Sequence, residues 1–244
     1  MDTEQQLNGK SAIVTGAGVR LGRAFALGLA KAGANVAVHY GRSADEAQET
    51  AELARSFGVR AVALQADLSQ AEDATNLVNQ CKEAIGDLQI LVNSASIFEP
   101  VDIFQTDIES WNRHLAVNLT APFLISKSFA ENLGEAIGTI VNILDWRALR
   151  PGTHNFPYTI AKSGLAAMTK SMAQAFAPNI RVNGLALGAI LPPSSGETDD
   201  PLEGVPLERW GTVDEAVDGM LFLLAGSEYV TGAILHIDGG RHLS

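Results

Sequence analysis

Tyr158 and Lys162 stand four residues apart in the segment DWRALRPGTHNFPYTIAK, residues 145–162. That separation puts two side chains on one face of a helix. A lysine ammonium beside a phenol favours the phenolate, so the expected effect is a tyrosine pKa drawn down from about 10 toward a range where the hydroxyl exchanges protons usefully. Asp145 ends the apolar run GTIVNILD. A strand arriving at the carboxyl edge of a sheet would deliver that carboxylate into the same crevice. An acid, a phenol and an ammonium would then converge, a set suited to moving a proton. A tyrosine four residues before a lysine is also common on solvated helix surfaces, so the elements around the pair must decide.

Those elements begin with SAIVTGAGVRLGRAFALGLAKAGANVAVHY. It reads as a strand, a glycine-bearing turn, a helix and a second strand, the opening of a dinucleotide-binding unit. Gly16 and Gly22 punctuate the turn, and the helix starts near Leu21. Free backbone amides and the positive end of a helix receive a pyrophosphate there, provided no bulky side chain intervenes. About 20 residues beyond such glycines, a carboxylate ordinarily holds the ribose 2′-hydroxyl of NAD. This chain has His39, Tyr40, Gly41, Arg42 and Ser43 instead. An arginine and a hydroxyl suit a 2′-phosphate, so NADPH is the expected cofactor, with Arg20 a possible second positive charge. An isolated arginine is by default a solvated surface residue, and either one is open to that reading.

Alternating strand and helix patterns place strands near 11–16, 35–40, 61–66, 88–94, 138–144, 181–187 and 233–238. With right-handed crossovers these give an α/β fold, a Rossmann-type doubly wound parallel sheet of seven strands with helices on both faces. The chain's 244 residues and 46% hydrophobic content suit one domain with one large core.

In combination, TGAGVRLG, Asp67 with Leu68, NSAS, Asn118, YTIAK and the terminal IDGG resemble the short-chain dehydrogenase/reductase family over essentially the full length. Within it the chain is most similar to pteridine reductases. Arg20 stands where the family turn carries glycine, HYGRS follows the second strand, Phe98 follows NSAS, and Asp145 stands where most members carry serine. The resemblance implies catalytic roles for Asp145, Tyr158, Lys162 and Asn118, the last supporting the lysine through a helix kink and water. It also implies that Asn93, Ala95, Ser96, Lys162 and Gly188 line the nicotinamide side and that Asp67 and Leu68 flank adenine. Two departures touch this pattern: Leu187 precedes Gly188 where proline is usual, and Ser94 replaces an asparagine.

Phe98, Asp145, Ser96, Tyr158 and Leu191 are the candidates for substrate contact. A planar heteroaromatic ring stacks against a phenylalanine face. A carboxylate repels the oxygen of a reacting carbonyl, whereas reduction of a C=N bond needs a proton at nitrogen, so Asp145 argues for imine-type reduction of a dihydropterin, with dihydrofolate as a related substrate. Two alternatives stay open. A ketone or 3-oxoacyl reductase would use a protonated Asp145 as donor, and a regulator would bind NADPH without turnover.

Net charge of −11 argues against nucleic-acid and anionic-membrane surfaces. One cysteine, Cys81, leaves no intramolecular disulfide, and the histidines at 39, 114, 154, 236 and 242 lack an evident ligand spacing, so no metal is expected. The N-terminal MDTEQQLNGK has no signal-peptide character, and no run of about 18 apolar residues occurs, which makes a cytoplasmic location the expectation. The broad apolar faces of the helices near 115–133 and 156–176, with the resemblance, suggest a homotetramer. PPSSGETDDPLEGVP, within 191–207, reads as a mobile loop over the substrate crevice.

Overall fold

The computed structural model describes residues 6–192 and 202–243. Its strands are β1 (Ser11–Val14), β2 (Asn35–Tyr40), β3 (Ala61–Gln65), β4 (Ile90–Asn93), β5 (Gly138–Asp145), β6 (Ile180–Leu187) and β7 (Ile234–Ile237). They form one sheet in the order β3-β2-β1-β4-β5-β6-β7, and every pairing is parallel. The expected fold class holds. The order reverses between β1 and β4, so the crevice at their carboxyl ends is where a doubly wound sheet receives a ligand.

Successive residues of these strands feed opposite faces. Ala12 and Val14, Val36 and Val38, and Ile90 and Val92 enter one core with α1 (Arg20–Lys31) and α7 (Val213–Ala225). Ile13, Ala37 and Leu91 enter the other, with α3 (Ala71–Ile85), α5 (Ala121–Leu133) and α6 (Phe156–Ala175). A strand buried on both faces needs no polar alternation, which is why GTIVNILD is nearly continuous in apolar residues. α2 (Ala44–Arg55) closes the β2 side through Ala47, Ala51 and Ala54. Cys81 is buried on α3, and burial pushes its thiol up to about 12, so it packs as a small apolar residue.

β1 ends at Val14, earlier than the expected boundary, because Thr15 and Gly16 leave the ladder to build the turn. The helix expected near 115 starts further upstream. α4 (Ile108–Leu115), capped by the Asp107 carboxylate at 2.7 Å from the Ser110 amide, runs through a single π turn at Ala116–Thr120 into α5. That π turn carries Asn118. Much of the loop expected at 191–207 lies outside the described residues. At its far end, Val205 is buried and the Leu207 amide donates to the Gly239 carbonyl at 3.1 Å. Among the described residues, no helix is long and apolar enough to cross a membrane.

Candidate active site

The glycine turn is shaped by close backbone approach. Gly16 has φ +65°, and a Cβ there would meet the Ala95 Cα at 2.8 Å. A Cβ at Gly18 would meet the Ser43 Oγ at 2.6 Å, and one at Gly22 would run into the Gly16 carbonyl. Three positions therefore exclude side chains for reasons internal to the fold, and the resulting cradle fits a pyrophosphate at the start of α1. Thr15, which sequence reasoning passed over, fastens the turn to the neighbouring strand: its Oγ1 accepts from the amides of Ser94 and Ala95, each at 2.9 Å.

His39 does not reach the cofactor side. It is buried, its Nδ1 accepts from the Gly16 amide at 3.0 Å, and its Nε2 lies 3.1 Å from the Ala66 carbonyl. An amide can only donate, so Nδ1 is bare and Nε2 carries the proton. Burial lowers the ring's proton affinity, which agrees with this neutral form. His39 is a strut beneath the turn, because a side chain from the interior of β2 points into the sheet's packed face. Tyr40 is half-buried and packs against the same core. Arg42 is exposed and Ser43 half-buried beside Gly18.

Arg20 differs from expectation in direction. It adopts φ +54°, the left-handed backbone usually left to glycine, and its Nη2 donates to the Pro192 carbonyl at 2.6 Å. The guanidinium thus ties the turn to the segment after β6 rather than joining Arg42. Leu21 is half-buried against the α1-side core. Asp67 is exposed after β3, and its carboxylate accepts from the Ser69 hydroxyl at 2.7 Å and amide at 2.9 Å, bonds that hold it below the ordinary carboxylate range. Leu68 is buried.

Asn93 is also displaced from its expected role. It is 2% exposed and donates inward to Ser126 Oγ at 3.1 Å and Asn142 Oδ1 at 2.8 Å, while Asn142 donates to Thr169 Oγ1 at 2.9 Å. This polar string joins β4 and β5 to α5 and α6 and leaves Asn93 Oδ1 buried without a hydrogen-bond partner. Asn118 is wholly buried, and its amide spans the loop after β4. Its Oδ1 accepts from the Ile97 amide at 2.9 Å and Ser96 Oγ at 3.1 Å, and its Nδ2 donates to the Ile97 carbonyl at 2.9 Å. Ala95 and Ser96 remain at the crevice wall. A Cβ at Gly188 would meet the Asp238 Cα at 2.7 Å, which explains the glycine there, and Leu191 packs half-buried nearby.

The expected convergence at the end of β5 is present. Tyr158 donates its hydroxyl to Asp145 Oδ2 at 3.1 Å, and Lys162 Nζ donates to the Ile143 carbonyl at 2.8 Å while lying 5.8 Å from the Tyr158 ring centroid. The electrostatics correct one expectation. Tyr158 is not drawn down; burial first, then the Asp145 charge and hydrogen bond, hold it well above its ordinary value, with Arg147 offsetting part of this. Tyr158 is therefore a phenol at rest. Burial pushes Lys162 down to about 8, so it is mostly charged at neutral pH.

Arg147 is the residue that pattern reading missed here. Its amide donates to Asp145 Oδ1 at 2.8 Å, and its Nη1 lies 3.4 Å from both carboxylate oxygens. The guanidinium also sits over the Phe98 and Trp146 rings, at 5.8 and 4.8 Å from their centroids. Phe98 meets Tyr158 edge to face, with ring centroids 4.8 Å apart and planes at 86°. Its neighbour Glu99 anchors the loop by accepting from Arg113 Nη2 at 2.8 and 2.9 Å. Aromatic, acid, phenol and ammonium thus gather at the end of β5. The expectation that no histidines pair is corrected too. His236 and His242 stack near Asp238, a contact for which the spacing HIDGGRH was the available signal.

The family model described as "Enoyl-(Acyl carrier protein) reductase" matches residues 16–242. Glucose 1-dehydrogenase 2 of Bacillus subtilis is 32% identical, with 98% of this chain and 97% of that protein covered. The 3-oxoacyl-[acyl-carrier-protein] reductase FabG of Staphylococcus epidermidis is 31% identical, over 96% of this chain and 99% of the relative. A crystal structure of FolM, alternative dihydrofolate reductase 1, from Brucella canis complexed with NADP superposes with a TM-score of 0.92 at 34% identity, covering 98% of this chain and 96% of that one. Together with the seven-stranded order, the glycine cradle and the Tyr158–Lys162 pair, these matches show that the chain belongs to the short-chain dehydrogenase/reductase family.

Proposed function

We propose that this oxidoreductase is an NADPH-dependent reductase of a dihydropterin, with dihydrofolate as a related substrate. The observation that carries the reading is the hydrogen bond from Tyr158 to Asp145 at 3.1 Å, on the wall that Phe98 shares. The glycine cradle and the carboxylate-free stretch Gly41, Arg42 and Ser43 fit NADPH, which supplies a hydride when bound. Hydride addition to the carbon of a C=N bond leaves the nitrogen in need of a proton. Tyr158, a phenol at rest, gives it. The phenolate so formed is stabilised by the Lys162 charge and regains a proton through Asp145, whose side chain is 17% exposed and so meets solvent. Arg147 orients that carboxylate, and Phe98 offers an apolar surface to a planar ring. The likeness to FolM, a protein named for dihydrofolate reduction, supports the same reading.

The test is NADPH oxidation by the purified chain with 7,8-dihydrobiopterin, set against an NADPH-only blank. Turnover above the blank is expected. None, with NADPH bound, would overturn the proposal. A carbonyl reductase is the second reading, favoured by the identity with the FabG protein and the glucose dehydrogenase. A panel including a 3-oxoacyl thioester separates the two. The non-catalytic regulator reading predicts binding with no turnover on any member of that panel. A homotetramer is part of this proposal, supported by apolar side chains that α4 and α5 leave exposed, Ile108 and Phe123; a monomer by light scattering would remove it.

A further inference from the structure

The end of β7 carries a cluster that the reductase reading does not use. His236 lies on β7, Asp238 directly follows the strand, and His242 sits on the 3-10 turn Arg241–Leu243. Between them Gly239 and Gly240 take φ +63° and +87°, a reversal that folds His242 back over His236. The two rings stack with centroids 3.9 Å apart and planes at 25°. The Asp238 carboxylate lies against both: its Oδ2 is 2.8 Å from Nδ1 of His242 and 3.6 Å from Nδ1 of His236. One ligand atom from each of the three residues falls within 4.8 Å of the others.

Two features set this apart from an ordinary ion pair. The Nδ1 of His236 is buried with no hydrogen-bond partner, an unfavourable state for a polar group. The Asp238 side chain is 2% exposed, yet the two histidine side chains are 20% and 29% exposed, so the carboxylate is fixed from within while the imidazoles meet solvent. Asp238 is held by the amides of Gly240 at 3.0 Å and His242 at 2.9 Å, bonds that orient a carboxylate without neutralising it. Two imidazole nitrogens and one carboxylate oxygen are the donor set of borderline divalent d-block ions, with further positions left to water. Ligands about 2.0–2.2 Å from a common ion stand about 3–4 Å apart, close to the 2.8 and 3.6 Å that separate Asp238 from the two imidazoles.

We propose that His236, Asp238 and His242 bind one divalent transition-metal ion, Zn2+ or a neighbour in the first row, at a site separate from the reductase crevice. Among the described residues, a cavity of about 790 Å3 is lined by His236, Asp238 and His242 together with Leu207 and Phe222. The site also has a route to the crevice wall. Asp238 packs on Gly188, and Arg241, adjacent to His242, lies 4.2 Å from the Trp146 ring centroid, next to Asp145. A bound ion ties the end of β7 to that 3-10 turn and so braces one side of the crevice.

The test uses the full chain after dialysis against a chelator, titrated with Co2+ followed by visible absorption and with Zn2+ by calorimetry. One equivalent per chain is expected, with a Co2+ spectrum of nitrogen and oxygen ligation and a thermal midpoint raised by Zn2+. The paired substitutions His236→Ala and His242→Ala should weaken binding at least tenfold and remove the thermal effect, with circular dichroism unchanged. If that variant does not fold, diethylpyrocarbonate labelling of the unsubstituted chain decides: Zn2+ should protect His236 and His242 but not His154. Absence of binding, binding that survives both substitutions, or equal labelling with and without Zn2+ would each overturn the site.

Discussion

The two halves of the crevice are built by different means. On the β1–β3 side, recognition is made of backbone: Gly16, Gly18 and Gly22 leave no room for a Cβ, and Thr15 and the buried His39 pin the turn from outside and below. On the β5–α6 side it is made of side chains that hold each other, with Tyr158 on Asp145, Arg147 on Asp145 and Phe98 edge-on to Tyr158. The first half should tolerate changes of exposed side chains but not one added methyl group. The second should tolerate backbone-neutral changes around it but not the loss of one functional group.

Removing one hydroxyl should have the largest effect. Tyr158→Phe keeps the edge-to-face packing on Phe98 and deletes the proton donor, so kcat should fall about 10²–10⁴-fold while NADPH affinity, read by fluorescence titration, changes little. A parallel loss of affinity would mean that the halves are not separable. Gly16→Ala is the converse change. The left-handed backbone costs a non-glycine residue about 1–2 kcal/mol, and the new Cβ meets the Ala95 Cα, so the NADPH Kd should rise about tenfold or more.

Changes of pH should have smaller effects. Lys162, pushed down to about 8, should make kcat/KM fall above that pH as the charge stabilising the phenolate is lost. Stability moves the other way. Between about 8 and 10.5 the unfolded chain keeps a proton on Lys162 that the folded chain has released, so this residue's contribution rises with pH across that window. A pH–rate profile and denaturation midpoints measure the two separately. The smallest effect belongs to the strut. His39 titrates below 6.5 in the folded chain, so as pH falls through 6.5 the unfolded state gains a proton first and stability declines. His39→Gln, which keeps one acceptor and one donor, should flatten that acid-side slope, read by urea midpoints at several pH values.

What the sequence made legible follows from which properties are local. Strand positions, the glycine cradle, and the meeting of Asp145, Tyr158 and Lys162 depend on short-range periodicity and on element order in a parallel sheet. The destinations of polar side chains do not. His39 and Asn93 stand at the expected chain positions, but the pleat turns both into the packed interior, where Gly16, Ser126 and Asn142 are their partners. Arg20 carries the unusual residue type in the turn, yet its reach to Pro192 depends on a segment 172 positions away. The raised Tyr158 likewise reflects three-dimensional burial and the Asp145 charge, which a helix-face argument about Lys162 alone does not contain.

Asp145 is proposed to suit the site to protonating a nitrogen rather than binding a carbonyl oxygen. The most direct test compares kcat/KM for 7,8-dihydrobiopterin and for a 3-oxoacyl thioester in the unsubstituted enzyme and in Asp145→Ser, with NADPH affinity measured in both. The substitution should lower pterin turnover at least tenfold, leave NADPH binding nearly unchanged and shift the ratio toward the carbonyl substrate. An unchanged ratio with both forms active would contradict it.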